Sequence, residues 1–206
     1  MKPAAMGIRV HSGWGALVIL SGQPGAEEVV DRRKLTIIDP KASGVTQPYH
    51  HVEEMELRAA ERHLNKCAAD SRRLAVEALG GIAKELRGRD LLLGGAAILL
   101  SSARPLPDLD EILSSHALIH TAEGEFFRHA FRQALAHLEI PMVGIREREL
   151  QESAKQAFGK SAAEVQKRIE GMGRSLGPPW TQDEKFAALA AAIVLSISTR
   201  TLSTYH

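Results

Sequence analysis

The densest group of side chains able to do chemistry lies at 114–125, Ser114-Ser115-His116-Ala117-Leu118-Ile119-His120-Thr121-Ala122-Glu123-Gly124-Glu125. His116 and His120 are four apart, so on a helix they share one face and could ligate one metal ion. Glu123 beside them would supply the carboxylate of a metal-assisted hydrolase. The stretch also has a plainer reading. Thr121 would cap a helix that begins there, with Glu123 and Glu125 complementing its dipole. That reading leaves two histidines and Gly124 unexplained. The free N–H groups of such a helix start also suit a small anionic ligand.

His11-Ser12 is the second candidate. His11 could act as a base or ligand and Ser12 as a nucleophile or hydrogen-bond donor; otherwise the pair simply belongs to a chain reversal with Gly13. In Tyr49-His50-His51-Val52-Glu53-Glu54 the adjacent histidines diverge by about 100° on a helix. They read as the polar start of a helix rather than as joint ligands. Cys67 falls on an apolar stripe and reads as a small core residue. Trp180, between Pro179 and a capping box, reads as a packing anchor, and Arg146-Glu147-Arg148-Glu149 as a solvated rim. His63, His129 and His137 show no ligand spacing. No G-x-x-x-x-G-K-[ST], G-x-G-x-x-G, C-x-x-C, H-E-x-x-H or G-x-S-x-G is present.

The elements that must position these residues follow from periodicity. Residues 8–11, 14–20 and 28–39 are β-rich, separated by His11-Ser12-Gly13 and Ser21-Gly22-Gln23-Pro24-Gly25. They form an antiparallel meander, with a bulge expected near Arg32-Arg33. From Ala60 to Leu86 apolar residues recur every three or four, predicting a long amphipathic helix over 50–88. The runs 96–100 and 141–145 read as buried strands around a helix at 121–138, a βαβ unit. A short helix is expected over 108–115 and helical pieces over 150–158 and 161–172. A last, Ala-rich helix over 186–195 lies within 177–206. Ser161/Glu164 and Thr181/Glu184 have capping-box spacing.

The chain has 206 residues, 44% hydrophobic and 25% charged, which is globular rather than disordered composition. Its formal charge of +1 gives no electrostatic footprint for nucleic acid, which is therefore set aside as a partner. The lone Cys67 excludes an intrachain disulfide. No apolar run approaches the roughly 20 residues of a membrane span, and no leader is visible at 1–6. The expectation is a cytoplasmic protein with no membrane contact.

The order βββ–α–β–α–β–α resembles the ribonuclease H-like fold, a mixed five-stranded α/β sheet flanked by helices. Within it the chain is most similar to the branch of RuvC-type Holliday-junction resolvases, over a single domain spanning 1–206. Three stretches carry the likeness: Ile8-Arg9-Val10-His11-Ser12-Gly13-Trp14-Gly15-Ala16-Leu17-Val18, Ala97-Ile98-Leu99-Leu100-Ser101, and Asp183-Glu184-Lys185-Phe186-Ala187-Ala188-Leu189-Ala190. The resemblance implies catalytic carboxylates at the ends of the first and fourth strands and in the last helix, holding two hard cations about 4 Å apart. At those places stand His11, Leu100 or Ser101, and Ala187. Asp183 lies one turn before Ala187 and reaches inward only if the alignment slips by a turn.

Three readings result. The first is a binding or regulatory protein on a ribonuclease H-like scaffold, not an active nuclease. It would hold a small anionic ligand or a protein partner in one cleft formed by His11, Ser12, His116, His120 and Thr121. The second is a metal-assisted hydrolase or nuclease using a His/Glu cluster, with His116 and His120 as metal ligands. The third is a structural homo-oligomer in which the Ala-rich last helix buries against a second chain. The sequence names no cofactor.

Overall fold

The computed structural model describes the backbone of residues 1–23, 25–101 and 105–203, and their side chains as far as residue 197. Five strands form one mixed sheet in the order β3-β2-β1-β4-β5. β1 (Lys2–His11), β2 (Trp14–Ser21) and β3 (Glu28–Thr36) are the expected antiparallel meander. β4 (Leu91–Leu100) runs parallel to β1, and β5 (Met142–Arg146) parallel to β4. The sheet is therefore the mixed five-stranded α/β sheet flanked by helices anticipated from the element order.

Two strands begin earlier than their β-branched residues indicate. β1 starts at Lys2 and β4 at Leu91. Both extensions come from mutual pairing, a tertiary effect that overrides local propensity. The pairing skips Gly94, between the pairs Leu93–Ala4 and Gly95–Ala5, so glycines that resemble a loop form a bulge. In β3 the irregularity falls at Val30 and not at Arg32-Arg33.

Strand alternation assigns the layers. Ala4, Met6, Ile8 and Val10 point into a core shared with α2 (Leu57–Gly88) and α4 (His116–His137). Ala5 points into the opposite core, built with α5 (Leu150–Phe158), α6 (Ala162–Leu176) and α7 (Gln182–Ser203). At Gly7 the backbone of α7 comes so close that an added Cβ would sit 1.9 Å from the Ala187 carbonyl oxygen. Glycine in the strand and alanines in the helix are what permit this approach. The Ala-rich segment is thus buried by its own sheet, with Ala187–Ala191 at most 3% exposed. The apolar residues up to Leu195 are taken up by the protein's own sheet, and Ile197 beyond them is half exposed.

The helix expected over 50–88 is two helices. A short α1 (Pro48–His51) ends at the buried Val52, and α2 begins after Glu56, whose carboxylate caps it by accepting the Ala59 N–H at 3.1 Å. The apolar stripe Ala60, Leu64, Cys67, Ala75, Leu79, Ile82 and Leu86 is buried as its spacing predicts. After a short α3 (Leu109–Leu113), α4 starts at His116, with Ser115 as N-cap residue, not at Thr121. The Thr181/Glu184 box forms: the Glu184 carboxylate accepts the Thr181 N–H at 2.7 Å, and Thr181 Oγ1 accepts the Asp183 N–H at 3.2 Å. The Ser161/Glu164 box does not, because a preceding 3₁₀ turn holds Ser161 in a helical conformation instead of the extended one a cap needs. Among the described residues no helix is long and apolar enough to cross a membrane.

Candidate functional site

Two groups of polar side chains stand out, and they lie on opposite faces of the sheet. The first surrounds the C-terminal end of β1. Because Ile8 and Val10 face α2 and α4, Arg9 and His11 face the α7 side. The Arg9 guanidinium grips Glu147, just past β5, in a two-point pair with Nε to Oε2 at 3.1 Å and Nη2 to Oε1 at 2.6 Å. Its Nη1 donates to the carboxylate of Asp183, in the first turn of α7. Burial opposes the Arg9 charge, but the hydrogen bonds and charges of Glu147 and Asp183 outweigh it and hold its pKa above the ordinary value. His11 Nε2 lies 3.1 Å from Asp183 Oδ1, buried and out of hydrogen-bond alignment. The His11 ring stacks on Trp14 with centroids 4.3 Å apart, and the Lys34 ammonium lies over the same indole. Ser12 is exposed on the β1–β2 turn. A cleft of about 410 Å³ beside this group is lined by Trp14, Arg32, Arg33, Lys34 and Asp183.

The second group lies where α1 meets the first two turns of α4. His116 and His120 share a face, with their Nε2 atoms 3.0 Å apart. His50 of α1 closes on them, its ring centroid 4.8 Å from that of His120 and 5.5 Å from that of His116. One potential ligand atom from each of the three lies within 4.8 Å of the others. Glu123, one turn on, is almost fully buried behind them. Its Oε1 accepts the Tyr49 backbone N–H at 2.8 Å, and its Oε2 lies 3.4 Å from His50 Nδ1. Burial pushes the Glu123 carboxyl pKa up, while the Tyr49 N–H and His50 draw it back in part. Burial, aided by the Glu123 charge, also raises the Tyr49 phenol.

The single cleft expected from His11, Ser12, His116, His120 and Thr121 is not formed. Alternation along β1 sends His11 to the α7 face, whereas α4 packs on the other. Along α4 it is Arg128 whose Nε donates to the Leu99 carbonyl near the end of β4, at 3.2 Å. His120 is eight residues earlier, about 12 Å farther out along the helix. Thr121 is not the cap: it lies within α4, and its Oγ1 donates to the Ala117 carbonyl at 2.9 Å. Glu125 pairs with Arg132 and Arg128. Asp183 does reach inward, toward Arg9 and His11.

Three participants escape the sequence reading. His50 resembles an ordinary helix-start histidine, and only the break after α1 brings it to α4. Arg9 sits unflagged between apolar neighbours, although a cation flanked by Ile8 and Val10 was a readable signal. Glu147 belongs to a run that otherwise behaves as a rim, with Arg146 paired to Glu149 at 2.8 Å. Trp180 packs as expected, its Nε1 donating to the Ile169 carbonyl at 2.8 Å. Cys67 is buried, and burial raises its thiol pKa, as befits a core residue.

No family model matches the chain, and no curated protein matches it significantly. Solved structures do. T. thermophilus RuvC in complex with a Holliday junction substrate superposes with a TM-score of 0.53 at 10% identity, covering 98% of this chain and 96% of that one. A second Thermus thermophilus RuvC structure gives 0.50 at 10% identity, over 98% and 97%. The yeast mitochondrial Holliday junction resolvase Ydc2 gives 0.48 at 8% identity, over 98% and 80%. The chain therefore has a RuvC-like fold of the ribonuclease H type. This overturns two expectations, that the protein is not a nuclease and that nucleic acid is not a partner, since the fold is shared end to end with a protein seen on a Holliday junction substrate. The charge argument fails for a physical reason. A sum of +1 over the whole chain does not register local grouping and so does not exclude such a partner.

Proposed function

We propose that the chain is a metal-assisted hydrolase of nucleic acid phosphodiesters that works through its His/Glu cluster. The observation that carries this reading is the convergence of His50, His116 and His120 on one point, backed by the buried Glu123. The RuvC-like fold supplies the context, and the exposure of His116 and His120 lets a phosphodiester approach.

The residues at the strand ends do not fit the pair of hard cations that the fold family implies. At the strand ends stand His11 and Leu100 or Ser101 where the resemblance implies carboxylates, while in the last helix Asp183, one turn before Ala187, does point inward. The two nearby carboxylates, Asp183 and Glu147, both pair with Arg9, whose single positive charge offsets one of the two. The guanidinium occupies carboxylate oxygens that a cation would need, and hydrolysis is placed at the histidine cluster instead. At the histidine cluster a bound divalent ion would polarise a phosphoryl oxygen and make bound water more acidic. His116 and His120 hold their spacing because they are successive turns of one helix. His50 is oriented by Glu123, which is too buried to act on substrate directly and serves as a positioning residue.

The test is cleavage of labelled four-way junction, duplex, RNA–DNA hybrid and single-stranded substrates by the full chain with Mg²⁺, Mn²⁺ or Zn²⁺. The expected result is metal-dependent cleavage of at least one substrate, abolished by chelator and reduced about 100-fold or more in His116→Ala. No cleavage of any substrate with any ion would overturn the proposal.

A further inference from the structure

The identity of the ion can be inferred from the donors. We infer that His50, His116 and His120 form a three-imidazole site for a zinc-class divalent ion, with a fourth position open to solvent. Glu123 is the carboxylate that fixes His50. The inference deepens the hydrolase reading and rests on it only for the use made of the open position.

The donor set selects the metal. Neutral imidazole suits zinc and its late first-row neighbours, whereas magnesium and calcium require oxygen ligands. The spacing is suitable. A tetrahedral ion with metal–nitrogen bonds of 2.0–2.1 Å places its donors about 3.4 Å apart. The His116 and His120 Nε2 atoms are 3.0 Å apart, and all three donors fall within 4.8 Å of one another.

The surroundings also have the form of a metal site. His50 Nδ1 faces the Glu123 carboxylate, which leaves Nε2 as the ligand atom. This is the carboxylate–histidine–metal arrangement that fixes ring orientation and raises ligand basicity. Glu123 is buried, and its other oxygen takes the Tyr49 N–H, so the same carboxylate pins α1 to α4 and supplies compensating negative charge. His116 and His120 are exposed, which gives an entry path and an open coordination position. One effect opposes the site: the N-terminus of α4 carries the positive end of the helix dipole. That lowers cation affinity by about a factor of five, small beside the contribution of three nitrogen ligands.

The test is titration of Zn²⁺ into the metal-free full chain by calorimetry, with Co²⁺ as a spectroscopic substitute. The expected result is one equivalent bound, four-coordinate Co²⁺ absorption, and no competition from excess Mg²⁺. His116→Ala and His120→Ala should each weaken binding about 100-fold or more, and Glu123→Gln about 10- to 100-fold. Circular dichroism would confirm that each variant is folded, and the exposed His116 gives a variant that leaves the core untouched. Absence of stoichiometric Zn²⁺ binding, or binding that survives both histidine substitutions, would overturn the inference. Histidine-dependent Zn²⁺ binding without cleavage supports the site and rejects the hydrolase reading. Cleavage without such binding does the reverse.

Discussion

The two polar groups draw on similar residues, yet their electrostatics are opposite. At the end of β1, His11 and two carboxylates surround a permanent cation, Arg9, which engages both acids. Between α1 and α4, three imidazoles and one buried carboxylate surround a point with no cation of its own. The first group is cross-linked through Arg9 and ties β1 to α7 and to the segment after β5. The second gathers nitrogen donors toward solvent. Charge compensation, more than the number of acidic or histidine residues, separates a cross-link from a ligand site.

The largest effect should come from removing that compensation. Arg9→Ala leaves Asp183 and Glu147 facing each other and is expected to cost about 3 kcal/mol in urea unfolding. The freed carboxylates and His11 should then bind divalent ions more tightly than the wild-type group does. A loss under about 0.5 kcal/mol would mean that Arg9 is only a surface partner. Next, zinc at about 100 times its dissociation constant should stabilise the wild type by about 2.7 kcal/mol. That is a rise in Tm of roughly 5–10 °C for a chain of this size. The rise should vanish in His120→Ala and persist in Asp183→Asn; equal shifts in both would erase the distinction between the groups.

A smaller effect concerns pH. Burial raises the Glu123 carboxyl above its ordinary value of 4.5. Its contribution to stability is then full below the ordinary value and is lost as pH rises through the raised one. In chelator, Glu123→Gln should gain on the wild type as pH rises through that window; parallel stability curves would contradict the assigned burial. The smallest effect is Thr181→Ala, which removes the cap of α7 beside Asp183 and should cost about 1 kcal/mol. Zinc affinity should not change, and a change would couple the two groups.

Much of this architecture is legible in the sequence. The meander, the two parallel strands and the buried stripe through Cys67 follow from local pattern. So does the i, i+4 pairing of His116 and His120. The Thr181/Glu184 cap forms because its geometry is local, while Ser161/Glu164 shows that spacing alone is insufficient when the preceding turn sets the wrong backbone conformation. The missing parts are contacts across long stretches of chain. His50 meets Glu123 only because the helix breaks after Val52, within a region whose pattern looks continuous. Arg9 meets Asp183 because strand parity selects the α7 face. Net charge is no guide to a nucleic acid partner because it sums over the whole chain and does not register local grouping.

The most direct measurement is single-turnover cleavage of the preferred nucleic acid substrate by metal-loaded wild type, His120→Ala and Asp183→Asn side by side. The account predicts that His120→Ala loses cleavage about 100-fold or more, while Asp183→Asn stays within about threefold of wild type. Loss in Asp183→Asn with full activity in His120→Ala would place the chemistry at the strand ends and contradict it.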